Sequence, residues 1–483
     1  MKYYIFSIGC QMNKSDSERI ASVLESLPAP ACACLRRQAD RQAGAGWNSC
    51  SKEEDADLIV VVACSVRQSA VDRIFGRSSR FKKYKKKNPK LKTILTGCVL
   101  DLDKKKLAER FDMVCDIREI GRNLPLTPSS KEWEARSLPL EGRDRVGLYS
   151  YLSITPKYSS DFHAYVPIMT GCNNFCSYCV VPYTRGREYS RPVRDILTEV
   201  KNLIAKEYKE ITLIGQNVNS YNSGITPSIL PCKGEKQKTP ILNKEGSDVV
   251  NFPTLLRLIN SIPGDFWIRF FTSHPKDMSD ELIDAIAECE KVCPYIHLPI
   301  QAGSNKILKA MNRKYTKGHY LNLIKKIRKK IPDVMLSTDV IVGFPDETEK
   351  DFKETVDVFK KVKFSMAYIA KYSPRAGTAA FRLEDNIAPL EKIRREHVLT
   401  DILRETALEN NKKFIGKTIR VLIDRQSENM YFGKTAQFVN TKIRETENET
   451  ARNVKICQFA DVKITNATSF GMEGKITAFM AGV

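Results

Sequence analysis

The chain has 483 residues, 42% hydrophobic and 28% charged, enough for roughly two to four domains with at least one large core. No apolar run is long enough to cross a bilayer, and polar residues follow the short apolar start "MKYYIFSIGCQMNKSDSE" at once, so neither a membrane span nor a signal peptide is expected and the reading is a cytoplasmic protein. A formal net charge of +21 makes a polyanion, above all nucleic acid, the favoured partner, and 14 cysteines in such a chain point to metal or redox chemistry rather than disulfides.

The start "YYIFSIG" reads as a strand that ends at Cys10. "SDSERIASVLESL" reads as a helix capped by Ser15 or Asp16. "DLIVVVACSVR" is a buried strand ending at Cys64, and "KTILTGC" is another ending at Cys98. Strands alternating with helices predict a small α/β domain of doubly wound type, whose ligands collect outside the carboxyl ends of the strands. Three cysteines stand at such ends. The expected domain is 1–123, followed by a linker over 124–160 rich in Pro, Ser and mixed charge.

From 161 to 400 the chain alternates between strand and helix. The strands are "YVPIM", "ITLIG", "WIRFF", "YIHLP", "VMLSTDVIVGFP" and "MAYIAKYSPRAGT". About six βα units predict a parallel barrel or a partial one, with its site in the loops that follow the strands. From about Gly416, within an expected domain 411–483, short alternating strands predict a small five-stranded barrel. Basic barrels of this kind bind single-stranded nucleic acid. Two segments read as insertions: Ala29–Cys50, which adds Cys32, Cys34 and Cys50, and the loop containing Cys232.

The densest chemistry is "TGCNNFCSYCVVPYTRGRE", with Cys172, Cys176 and Cys179 at C-x3-C-x2-C spacing. A closed zinc site wants four ligands, usually as two C-x2-C pairs. No fourth ligand follows here, and His163 upstream reads as an ordinary loop residue. Three thiolates on a 4Fe-4S cluster leave one iron open, which beside a barrel mouth suggests catalysis. Arg185 and Arg187 are candidates to hold a carboxylate or phosphate. The run "RFKKYKKKNPKLK" suits either phosphate contacts or a solvated helix face. Cys115, Cys289, Cys293 and Cys457 read as buried small hydrophobes in helix or strand patterns.

The C-x3-C-x2-C motif resembles that of the radical S-adenosylmethionine enzymes. The resemblance implies that Cys172, Cys176 and Cys179 hold a 4Fe-4S cluster whose open iron chelates S-adenosyl-L-methionine, and that its cleavage gives a 5′-deoxyadenosyl radical. It also implies cofactor contacts at Tyr178, near the adenine, and at Gly343 of "VGFP". Ordinary packing suits Tyr178 as well, and a βα turn shaped by Gly343 and Pro345 suits that motif.

More narrowly, "GCQMNKSDSE", "CSVRQSA", "GQNVNSY", "TSHP", "HLPIQAGSNKILKAMNRKYT", "TDVIVGFPDETEKDF" and "YSPRAGTAA" resemble the MiaB-type tRNA methylthiotransferases along nearly the whole chain, with a TRAM-like tail. This resemblance implies a second 4Fe-4S cluster on Cys10, Cys64 and Cys98. It implies conversion of N6-isopentenyl(dimethylallyl)adenosine at tRNA position 37 to its 2-methylthio derivative, with the base splayed from the anticodon stem-loop. Electrons would come from a small protein such as a flavodoxin or ferredoxin, and a monomer would suffice. Alternatives within the family are methylthiolation of threonylcarbamoyl-adenosine in tRNA or of a ribosomal-protein aspartate. A non-catalytic RNA-binding iron–sulfur protein is the alternative of another class. The family's usual Asn-Thr before the second cysteine is Val62-Ala63 here, a change that would remove hydrogen bonds supporting the second cluster or the substrate.

Overall fold

Leu58–Cys64 is buried at every position, as expected of a strand covered on both faces. The computed structural model describes residues 1–27, 46–64, 68–119, 151–224, 249–428, 430–444 and 456–479. The N-terminal sheet is parallel, with β1 (Lys2–Ser7), β2 (Asn48–Ser49), β3 (Leu58–Cys64), β4 (Lys92–Cys98) and β5 (Met113–Val114) in the order β2-β1-β3-β4-β5. Alternate residues of β3 serve opposite faces. Val60 and Val62 pack with Ile20 and Leu24 of the helix Gln11–Ser26. Ile59, Val61 and Ala63 pack with Ile74 and Phe81 of the helix Gln68–Lys87. The doubly wound arrangement is thus present.

The first helix begins earlier than the sequence suggests. Cys10 is its N-cap, and the expected caps lie inside it. Ser15 and Asp16 are fully buried because they serve polar partners: Ser15 Oγ accepts from Arg19 Nη1 at 2.6 Å, and Asp16 binds Arg185 and Tyr151. Of the expected linker, 124–150 lies outside the described residues. Its end packs on the N-terminal core through Tyr151 and Leu152.

The central strands are β6 (His163–Pro167), β7 (Met169–Thr170), β8 (Tyr189–Ser190), β9 (Glu210–Ile214), β10 (Asn222–Gly224), β11 (Val249–Asn251), β12 (Trp267–Phe270), β13 (Tyr295–His297), β14 (Met335–Val342) and β15 (Met366–Lys371). Six of them run parallel in two sets, β6-β9-β12 and β13-β14-β15. A parallel bridge from Ile268 to Val292 joins the sets into the expected partial (βα)6 barrel. Ile211, Leu213, Ile268 and Phe270 face the surrounding helices. The alternate residues Glu210, Thr212, Trp267 and Arg269 therefore line the inner side. His163 opens β6 rather than lying in a loop.

The C-terminal strands β16 (Thr418–Ser427), β17 (Met430–Thr435), β18 (Asn440–Arg444), β19 (Phe459–Thr468) and β20 (Gly471–Phe479) close into a five-stranded barrel. Cys457 falls in the turn before β19 at φ +74° and is only partly buried, so it is not the buried hydrophobe expected; Cys115, Cys289 and Cys293 are buried. The helix Pro389–Lys412 links the two barrels, with Leu399 and Leu403 in the central core.

The small barrel closes the lower end of the large one. Arg269 Nη1 and Nη2 donate to the carbonyls of Ala436 and Thr435 at 2.7 and 2.8 Å, while its Nε donates to Glu210 at 2.6 Å. Phe438 packs against Phe271 and Tyr295, with ring centroids 5.2 and 5.1 Å away. These contacts leave the opposite end, where the strands finish, as the mouth.

Candidate active site at two cysteine triads

Cys172, Cys176 and Cys179 lie in the loop after β6, at the barrel mouth. The loop is fixed from several sides. Cys172 N donates to Gly186 O at 3.2 Å, and Cys179 N to Cys176 O at 3.0 Å. Ser177 donates through N to Met311 O and through Oγ to Ala310 O, at 3.0 and 2.9 Å. Asn312 Nδ2 holds Phe175 O at 2.8 Å, where Phe175 adopts φ +46°. Arg313, buried, donates from Nη1 to Cys176 Sγ at 3.3 Å, from Nε to Tyr315 Oη at 2.8 Å and from Nη2 to Pro299 O at 2.9 Å. Burial pushes the Cys179 thiol up to about 12, with Cys176 adding to the rise, and burial also raises Cys172. Burial thus favours the protonated thiol at Cys172 and Cys179, and a bound metal would have to displace those protons.

Tyr178 packs on the cluster of Met311, Tyr315, Phe344 and Tyr372. It also lines, with Cys179, Gln301, Asp339 and Arg375, a cavity of about 700 Å³ at the mouth. Gly343 follows β14 at φ +68°, in the left-handed region that favours glycine. A Cβ there would stand 2.4 Å from Lys392 Cγ, so the lysine chain fills its place, and Lys392 itself lines the cavity. Gly343 N donates to Glu347 Oε2 at 2.6 Å, which also takes Arg395 Nη1 at 2.7 Å.

The second triad finishes three structural segments of the N-terminal sheet. Cys64 and Cys98 end β3 and β4, and Cys10 follows β1. A Cβ on Gly9 would meet Cys64 Cβ at 2.9 Å, which requires the glycine beside Cys10. Asn13 Nδ2 donates to Ala63 O at 2.8 Å, and Cys10 Sγ donates to Asn13 Oδ1 at 3.4 Å. Asn13 thus spans from the helix to the residue before Cys64 and supports the site where Val62-Ala63 offers no polar side chain. Cys50 cannot join this triad. It follows β2, beside the start of β1 at the far end of the sheet, and its Sγ donates to Tyr3 O at 3.3 Å. Cys32, Cys34 and Cys232 lie outside the described residues, as does the stretch 65–67 of "CSVRQSA".

The two triads meet through Arg185. It follows the short helix Val181–Thr184 of the first cysteine loop. Its Nε stands 2.8 Å from Cys98 Sγ and its Nη2 2.6 Å from Asp16 Oδ2. Burial opposes its charge, but Asp16 and Cys98 outweigh that and push its pKa up. Arg185 does hold a carboxylate, the protein's own. Arg187 instead lies 4.5 Å from the Phe175 ring. A second tie runs from Arg375 Nη2 to Asp103 Oδ2, 3.1 Å apart; Asp103 lies on the helix that follows Cys98, and Arg375 lines the cavity. Neither tie has a sequence signal beyond the residue types.

The donor sets suit clusters better than single ions. Among the described residues, no three His, Cys, Asp or Glu side chains converge to hold one metal ion. A four-iron cluster spreads three thiolates over three irons, so its ligands need not meet at a point. Each triad offers sulfur alone, with an arginine N–H on one sulfur.

A family profile described as "Radical SAM superfamily" matches residues 166–359, and one described as "Uncharacterized protein family UPF0004" matches 33–117. The chain is 40% identical to the tRNA-2-methylthio-N(6)-dimethylallyladenosine synthase of Clostridium novyi (strain NT), over 98% of this chain and 96% of that protein. It is 38% identical to the protein of the same name from Carboxydothermus hydrogenoformans, over 98% of both chains. With the enzyme from Thermoanaerobacter pseudethanolicus it shares 39% identity, over 98% of this chain and 92% of that one. Near-complete coverage at these identities, on a chain whose central barrel matches the radical SAM profile, establishes that this protein belongs to the tRNA-2-methylthio-N(6)-dimethylallyladenosine synthase family.

Proposed function

We propose that the chain converts N6-isopentenyl(dimethylallyl)adenosine at tRNA position 37 to its 2-methylthio derivative. The observation that carries this reading is the pair of cysteine triads joined by one arginine at the barrel mouth. A mere RNA binder has no use for two such sites.

In this reading Cys172, Cys176 and Cys179 hold the 4Fe-4S cluster of a radical SAM enzyme, and Cys10, Cys64 and Cys98 hold a second. When bound, the first cluster and S-adenosyl-L-methionine supply the 5′-deoxyadenosyl radical, and the second site carries the sulfur. The chain's own residues position and shield. Arg313 fixes Cys176 against the barrel wall. Tyr178 lines the cavity that would receive the cofactor. Gly343 shapes the turn that brings Lys392 to the cavity wall. Val340, Ile341 and Tyr372 give that cavity an apolar side, which limits water near a reactive radical.

The C-terminal barrel suits the tRNA backbone. Arg425 and Phe432 are paired neighbours on β16 and β17, with the guanidinium 4.5 Å from the ring centroid, beside the exposed Lys442. Such a cation and ring pair fits a phosphate and a base. No helix among the described residues is long and apolar enough to cross a membrane. In this reading the enzyme works in the cytoplasm as a monomer. A flavodoxin or ferredoxin would supply the electrons.

Reconstituted protein given S-adenosyl-L-methionine, a reductant and isopentenylated tRNA should release 5′-deoxyadenosine. Absence of that product from iron-loaded protein would favour the non-catalytic binder.

A further inference from the structure

We propose that Arg185 is a positioning residue for the N-terminal triad. From the loop that carries Cys172, Cys176 and Cys179, it donates a hydrogen bond to the Cys98 sulfur and thereby sets the reduction potential of the group held there. This rests on the reading that Cys10, Cys64 and Cys98 hold a cluster.

The geometry separates this role from that of a plain ion pair. The guanidinium divides the two N–H groups of one edge between two partners. Nη2 meets Asp16 at 2.6 Å, and Nε is left for Cys98 Sγ at 2.8 Å. A residue needed only to tie the two domains would be satisfied by Asp16 alone. The side chain is 5% exposed, so its donor is not shared with bulk water. Asp16 is itself fully buried and also takes the Tyr151 hydroxyl, which fixes the acid and through it the guanidinium plane. An arginine fork can hold both partners at once, and a lysine amine cannot do so in the same geometry.

The backbone of Arg185 belongs to the other triad. Its N–H donates to Val181 O at 2.8 Å, and the carbonyl of the next residue, Gly186, accepts from Cys172 N at 3.2 Å. One short segment therefore touches a ligand of each site, by backbone on one side and side chain on the other. Hydrogen bonds to cluster sulfurs stabilise the more negative reduced state and raise the potential.

The test isolates the N-terminal site in the full-length chain by replacing Cys172, Cys176 and Cys179 with alanine. The protein is reconstituted anaerobically with iron and sulfide, its iron is counted, and its midpoint potential is measured by titration followed with electron paramagnetic resonance. Arg185→Met and Arg185→Lys are then added to the same background. The expected result is unchanged iron content, with a midpoint more negative in the methionine variant and intermediate in the lysine variant. Should the methionine variant not fold, the lysine variant alone is compared with the background. Midpoints equal to that of the background in the folded variants at full iron content would overturn the proposal and leave Arg185 as a clamp. A background protein that takes up no iron defeats the cluster reading itself, and with it this inference, before any arginine is changed.

Discussion

Cys64 and Cys98 end adjacent parallel strands and are register partners across the sheet. Parallel pairing brings both sulfurs to the same edge, the carboxyl end where doubly wound folds bind ligands. Cys10 joins them because β1 pairs with β3 on its other side. Three distant stretches of chain thus bring three cysteines to one end of the sheet.

Replacing Cys98 with alanine should remove the N-terminal cluster and spare the barrel one. Iron per chain is expected to fall by about half, with methylthiolation abolished and cleavage of S-adenosyl-L-methionine retained. Iron analysis together with 5′-deoxyadenosine measurement checks this; an unchanged iron content would remove Cys98 from the ligand set.

Arg313→Met should release Cys176 and leave the Pro299 carbonyl to Tyr315 alone. Loss of charged hydrogen bonds in a buried site is worth about 2–4 kcal/mol. A lower urea midpoint and slower 5′-deoxyadenosine release are expected together. Wild-type values for both would show that the contact is incidental.

The cysteines, strands and barrel were legible in the sequence because each rests on a local pattern. Leu58–Cys64 is an unbroken apolar run, and "C-x3-C-x2-C" is a fixed spacing. The arginine ties were not legible, since Arg185 meets a cysteine 87 residues away and Arg313 one 137 residues away. Such pairings depend on how domains dock, which no short window encodes. Asn13 is similar: its role appears only when the helix places it under Ala63. The early start of that helix is not legible because Ser15 and Asp16 have the residue types of caps, and the buried partners of Asp16 lie far away in sequence.

Arg269 joins Glu210 to the C-terminal barrel. Arg269→Ala leaves Glu210 buried without its main cation, at a cost of about 3–5 kcal/mol. Limited proteolysis should then cut the chain near the helix Pro389–Lys412 faster than in wild type. Equal cleavage rates would show that Phe438 and its ring partners suffice for docking.

His163 is held neutral, its pKa lowered to about 4 by burial, which outweighs Glu210; Lys14, Lys434 and Arg269 add to the lowering. Its unfolded value is near 6.5, so below that pH the unfolded chain takes up a proton that the folded one refuses. Stability should fall as pH drops from about 6.5 towards 4, by about 2 kcal/mol at pH 5 from this group. Urea midpoints at pH 7 and pH 5 should differ more in wild type than in His163→Asn. An identical pH response in the two proteins would mean that His163 is not buried neutral.

Phe432→Ala should weaken tRNA binding about tenfold by removing one stacking surface, and Arg425→Gln should lower the salt slope by about one. Filter binding across a salt series measures both. Affinities unchanged at every salt concentration would place the tRNA on another surface.

The most direct test of the assignment is nucleoside mass spectrometry of tRNA from a host lacking its own methylthiotransferase, with and without this gene. The expected result is 2-methylthio-N6-isopentenyladenosine only when the gene is present. Unchanged tRNA, from cells in which the protein is made and carries its iron, would contradict it.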